Sequence, residues 1–147
     1  MAGVRGFDDG YRRWRASQRH AALLSQGMPS EIEPFSFVPF EGLQLLARLA
    51  GDGTGRTLVD LRCGRGGPGL WLAQCLGADL AGADGSVVKV SDARDRRQLF
   101  PGAASARFLV TDVTRTGLAA SCADVWCAST CFMSLTITPP CSQRQRG

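Results

Sequence analysis

Apolar residues recur at helical spacing in the first third of the chain and in short runs after that. Phe7, Tyr11, Trp14, Ala21 and Leu24 share one face, with arginines on the other. This predicts an amphipathic helix from Asp8 to Ser25, stopped by Gly27 and Pro29. Pro34 to Phe40 is aromatic and proline-punctuated, an ordered loop. Phe40, Leu43, Leu46 and Leu49 mark a second helix ending near Gly51, and Gly51 to Gly55 is a turn. The rhythm then changes. Thr57-Leu-Val-Asp-Leu reads as a buried strand and Pro68 to Leu76 as a helix, with proline at its start and Gly77 at its end. Asp79 to Asp84 is a second strand, and Ser86 caps a helix reaching Leu99. Ala106 to Thr111 and Ala123 to Ala128 are a third and a fourth strand. Strands alternating with helices predict an α/β fold, a mostly parallel sheet with flanking helices.

In such sheets ligands sit at the carboxyl ends of the strands. The first strand runs into Asp60-Leu-Arg-Cys-Gly-Arg-Gly-Gly-Pro-Gly. Gly64 and Gly66 remove side chains where backbone must approach a ligand, and the following helix aims its free N–H groups at the same place. Gly64, Gly66 and Gly69 formally match G-x-G-x-x-G. Asp84 ends the second strand, 18 residues beyond Gly66, where an acid accepts hydrogen bonds from ribose hydroxyls. Asp112 follows the third strand, where a carboxylate accepts from an amino group such as that of adenine. Three acids at three successive strand ends predict a nucleoside-bearing cofactor. Asp60 would sit badly beside a pyrophosphate and suits a cationic ligand.

Composition changes the picture little. The 147 residues suffice for one core, and 44% apolar with 20% charged residues is the mix of a soluble globular protein. No apolar run is long enough to span a membrane, and the N-terminus lacks a signal-type apolar stretch, so a cytoplasmic location with no membrane partner is expected. Net charge is +4, carried by arginine except for Lys89. Arg12, Arg13, Arg15 and Arg19, and then Arg94, Arg96 and Arg97, read as two solvated helix faces rather than a nucleic-acid surface, because no aromatic stacking motif accompanies them. Cys63, Cys75, Cys122, Cys127, Cys131 and Cys141 contain no C-x-x-C pair, so buried or incidental thiols are expected, with no metal site and no disulfide framework.

The motif set resembles the class I S-adenosylmethionine-dependent methyltransferases. Leu58-Val-Asp-Leu-Arg-Cys-Gly-Arg-Gly-Gly-Pro-Gly looks like their glycine-rich motif I, Ala81-Gly-Ala-Asp-Gly-Ser like their second-strand motif, and Phe108-Leu-Val-Thr-Asp-Val like their third-strand motif. Ala123 to Ala128 resembles the fourth strand, whose end lies beside the cofactor. Met28 to Val38 resembles the N-terminal lid of small-molecule members. The resemblance implies a Rossmann-like fold and S-adenosyl-L-methionine as cofactor. It implies cofactor contacts at Asp60, Cys63, Gly64, Gly66, Asp84, Gly85, Asp112, Val113 and Ala128, and a small-molecule methyl acceptor as partner. Residues 1–55 form the lid region, 56–128 the cofactor-binding core, and 129–147 a tail.

Two departures qualify the expectation. Arg62 stands where the family has the first glycine of motif I, adding bulk and positive charge beside a cationic ligand. The serine- and threonine-rich composition of Ser129 to Gly147 departs from the family pattern, as expected of a truncated or frame-shifted product. An open fourth-strand edge would then promote self-association, unless alternating Met133, Leu135 and Ile137 pair there as a makeshift strand. The expected function is methyl transfer to a small molecule, with a degenerate, non-catalytic remnant as the first alternative and a nicotinamide-dependent oxidoreductase as the second. No catalytic residue is assigned; His20, the lone histidine, reads as a surface residue.

Overall fold

A computed structural model describes residues 8–10, 12, 13, 27–32, 39–112, 114–117, 125–127 and 135–137. Residues 8–10, 12 and 13 are helical, in agreement with the start of the expected first helix; its remainder, including His20, lies outside the described residues. Helix α1 is Phe40–Ala50, entered from Pro39 and ended at Gly51, where φ is 68°. Leu43, Leu46, Ala47 and Ala50 form its inward stripe at i, i+3, i+4 and i+7, with Leu43 fully buried. Leu49 lies off that stripe and is 63% exposed. The Phe40 ring meets Trp71 edge-on, centroids 5.2 Å apart.

The remaining elements are β1 (Thr57–Leu61), α2 (Gly67–Leu76), β2 (Asp79–Asp84), α3 (Val87–Arg96), two short 3₁₀ turns (Arg97–Leu99 and Pro101–Ala103), β3 (Arg107–Val110), β4 (Val125–Cys127) and β5 (Leu135–Ile137). They form one sheet in the order β3-β2-β1-β4-β5, with β1 to β4 parallel and β5 antiparallel to β4. The register sets Asp60 opposite Gly82 and Asp84 opposite Val110, so the carboxyl ends of β1, β2 and β3 lie together. β5 supplies the makeshift strand expected from Leu135 and Ile137 and covers the outer edge of β4. Met133 and the rest of the tail lie outside the described residues.

The core sits between the sheet and helices α2 and α3. Side chains alternate along a strand, so Leu58 and Asp60 share a face, as do Leu80 and Gly82. Leu58, Leu80 and Phe108 pack there with Leu70, Ala73, Val90 and Ala93. The Phe108 ring occupies space that only glycine leaves free. A Cβ on Gly82 would lie 2.5 Å from that ring, and one on Gly66 would lie 2.9 Å from it.

Of the arginines at the end of α3, Arg94 and Arg97 are exposed as expected of a solvated face, and both also bond the sheet edge, whereas Arg96 departs from it. Thr111 N–H donates to the Asp84 carbonyl (3.0 Å), so the carbonyls of Ala106 and Phe108, in alternate phase, point away from β2 at the sheet edge. Arg97 donates to the Ala106 carbonyl (3.1 Å) and Arg94 to the Phe108 carbonyl (2.8 Å). Two charged side chains thus cap an otherwise open strand edge. Arg96 is buried and donates to the Glu31 carbonyl, binding residues 27–32 to the domain.

Two outcomes are expected. Gly82→Ala loses about 1–3 kcal/mol through the clash with Phe108, read as a lower urea midpoint. The double substitution Arg94→Ala/Arg97→Ala uncovers the β3 edge and raises the apparent mass with concentration in light scattering, whereas Arg12→Ala/Arg13→Ala does not.

Candidate functional site

The turn after β1 is built on alternate residues in the left-handed region: Arg62 (φ 58°), Gly64 (φ 56°) and Gly66 (φ 76°). Arg62 is the only non-glycine there among the described residues. A side chain costs about 1–2 kcal/mol in that conformation. Its side chain is exposed and leaves the inside of the turn free. Residues 63–70 are all buried. A Cβ on Gly67 would fall 1.8 Å from the Ile32 carbonyl oxygen, so only glycine lets residues 27–32 close over the start of α2. Arg65 anchors the turn from the other side, its Nε 3.1 Å from Asp92 Oδ2 in a nearly buried pair.

Asp60 is fully buried. Its Oδ2 lies 2.6 Å from where a Gly69 Cβ would stand, which places the carboxylate beneath the first turn of α2. The positive end of that helix favours an anion. Cys63 is buried beside it, and its N–H continues the strand ladder by donating to the Ala83 carbonyl (3.0 Å). Burial, reinforced by the charges of Asp60 and Asp84, pushes the Cys63 thiol well above its ordinary range. A thiol held protonated is a poor nucleophile and metal ligand.

Asp84 joins the pieces. Its Oδ2 accepts from Gly64 N–H (3.0 Å) and its Oδ1 from Ser86 N–H (2.9 Å). A carboxylate has about four acceptor positions, so two more remain for a ligand. Gly85 stands next to it, and among the described residues the Thr111 carbonyl, at 3.9 Å, is what a notional Cβ there would meet within 4 Å. Ser86 caps α3 as expected, its hydroxyl accepting from Lys89 N–H (3.2 Å) and donating to Asp8. Asp112, exposed at the end of β3, accepts from Thr114 N–H (2.9 Å) and the Thr114 hydroxyl (2.8 Å), which together hold its carboxyl below the usual range.

The fold therefore gathers Asp60, Cys63, Gly64, Gly66, Asp84 and Gly85 around one turn, with Asp112 at the neighbouring strand end. Val113 and Ala128 lie outside the described residues. Asp8 lies outside every motif of the sequence, and no short-range signal marks it, since the Asp8–Ser86 bond spans 78 positions; Arg65 lies inside the glycine-rich motif, but its pairing with Asp92, 27 positions away, is not marked there either. Among the described residues no group of three or more His, Cys, Asp or Glu is placed to hold a metal ion, and no helix is long and apolar enough to cross a membrane. The arrangement offers hydrogen-bond acceptors and a glycine turn beside a helix start, chemistry suited to binding and positioning.

No protein-family profile and no curated protein matches the sequence. Solved structures match the fold. An RNA methyltransferase from Salinibacter ruber bound to S-adenosyl-L-homocysteine aligns with a TM-score of 0.54 and 23% identity, over 61% of this chain and 57% of that one. A SAM-dependent methyltransferase from Geobacter sulfurreducens, with the same ligand, gives 0.55 and 19%, over 74% and 42%. Geranyl diphosphate C-methyltransferase from Streptomyces coelicolor gives 0.53 and 22%, over 60% and 34%. The chain thus spans between about a third and just over half the length of these structures. From the order of its strands and the position of its glycine turn, the chain has the Rossmann-like α/β fold of the class I S-adenosylmethionine-dependent methyltransferases.

Proposed function

We propose that this chain binds S-adenosylmethionine and is built to transfer its methyl group to a small molecule. The observation that supports this most is the Asp84 carboxylate, fixed by two backbone N–H groups at the end of β2 with acceptor positions to spare. The acceptor set fits the cofactor. Three carboxylates at the ends of adjacent parallel strands suit a ligand with a ribose diol, an amine and a cationic sulfonium, and repel a pyrophosphate.

Asp84 would take the ribose hydroxyls and Asp112 the adenine amine, with Gly85 open beside the ring. The backbone of Cys63, Gly64 and Gly66 would face the methionine part, and buried Asp60 would act on it through charge alone. By resemblance, Val113 and Ala128 complete the site and residues 1–55 act as its lid. The bound cofactor supplies an electrophilic methyl group; the task left to the protein is to hold the acceptor in line with it, an entropic contribution that needs no nucleophile.

A degenerate remnant that has lost the cofactor is favoured by one feature, Arg62 at φ 58°. Strain and charge separate in the variant Arg62→Gly. Relief of the left-handed strain, less the entropy glycine gains on unfolding, raises stability by about 0.5–1 kcal/mol in urea titration. Removing a charge of the same sign as the sulfonium tightens S-adenosylmethionine about fivefold in calorimetric titration, and tightens S-adenosylhomocysteine, whose sulfur is neutral, less. Binding by neither the wild-type chain nor Arg62→Gly would replace the methyltransferase proposal with the remnant.

The protonated Cys63 thiol gives two further expectations. Iodoacetamide modifies exposed Cys75 in the native chain and leaves Cys63 intact until urea is added, read by peptide mass mapping. Because the folded-state pKa of Cys63 lies above its ordinary value of 9.0, its contribution to stability is complete below pH 9.0 and is lost as pH rises toward the folded value. The urea midpoint of Cys63→Ala therefore falls less steeply above that pH than that of the wild type.

A further inference from the structure

The contact between Asp8 and Ser86 lies outside every role assigned so far. Ser86 is 3% exposed and Asp8 9%, and their side chains are hydrogen-bonded although 78 positions apart. The Ser86 hydroxyl has two duties: it accepts from Lys89 N–H as the cap of α3 and gives its own proton to the Asp8 carboxylate. Ser86 N–H holds Asp84 Oδ1, and Asp84 Oδ2 holds Gly64 N–H. One line of hydrogen bonds therefore runs from the helical residues at the N-terminus, through the cap of α3, to the carboxylate at the end of β2 and the glycine turn.

Resting on the cofactor site proposed above, we infer that Asp8 is a positioning residue: it fixes Ser86, and through Ser86 the Asp84 carboxylate, in the geometry that receives the ribose hydroxyls. The physical chemistry favours an acid at this place. Asp8 sits at the positive end of ten-residue α3, and a hydroxyl bonded to a carboxylate forms a short, strong bond. Without Asp8 the buried Ser86 hydroxyl lacks its acceptor. It then either stays unsatisfied or rotates away from the cap, and each choice loosens the N–H that holds Asp84.

The test is calorimetric titration of the full chain with S-adenosylhomocysteine and with its 2′,3′-dideoxyribose analogue. Asp8→Ala weakens the first ligand about tenfold and the second less than about twofold, because the dideoxy sugar makes no use of Asp84. Asp8→Asn keeps an amide oxygen that accepts from Ser86 but not the charge, so its loss for the first ligand falls between the wild type and Asp8→Ala, with the second ligand within about twofold. Ser86→Ala breaks the same line from the other side and reproduces the Asp8→Ala pattern, which keeps the test open if Asp8→Ala does not fold. Equal losses for both ligands, a loss in Asp8→Asn as large as in Asp8→Ala, or no loss at all would overturn the role of Asp8. Absence of binding by the wild-type chain is a different result: it overturns the cofactor proposal itself, and the positioning role with it.

Discussion

The Asp84 carboxylate is the constraint on which the candidate site depends. One oxygen holds the N–H of Gly64 in the turn after β1 and the other the N–H of Ser86 at the start of α3. That one side chain ties the turn after β1 to the start of α3, beside the Cys63–Ala83 ladder bond and the Arg65–Asp92 pair. An apolar residue at 84 would leave two part-buried N–H groups without their acceptor, and the turn and the helix start would lose their common reference.

Around this bridge, close approach is bought with glycine. Gly66 and Gly82 admit the Phe108 ring, Gly67 admits the Ile32 carbonyl, and Gly69 admits Asp60. The floor of the site is therefore the hydrophobic core itself, and the turn is held by packing on one side and by the Arg65–Asp92 pair on the other. Such a site is rigid where it rests on the sheet, the property that lets acceptors keep their geometry before a ligand arrives. Arg62 is the exception: a strained residue, exposed at the mouth of the same turn.

Charge serves the architecture more than the surface. Arg94 and Arg97 close the outward carbonyls of edge strand β3, and Arg96 reaches across to the Glu31 carbonyl. Opposite them in the sheet order, three residues of β5 cover β4. The two sides of the sheet are thus protected by different means, side-chain donors on one and an added antiparallel strand on the other.

Local signals in the sequence determined the elements. The change from helical spacing to short apolar runs, with Gly77 and Ser86 as helix boundaries, placed β1, α2, β2 and α3 within a few residues, because strand alternation, helix capping and left-handed turns are settled by neighbours within about one helical turn. The same signals brought Asp60, Asp84 and Asp112 to strand ends. The tertiary structure alone decided that Arg62 adopts a positive φ with its side chain outward, that exposed Arg94 and Arg97 also cap a strand edge while Arg96 is buried, and that Asp8 reaches Ser86. Each of these depends on which distant segment packs against which, through contacts as much as 78 positions apart, and no pattern of period 2 or 3.6 carries that information.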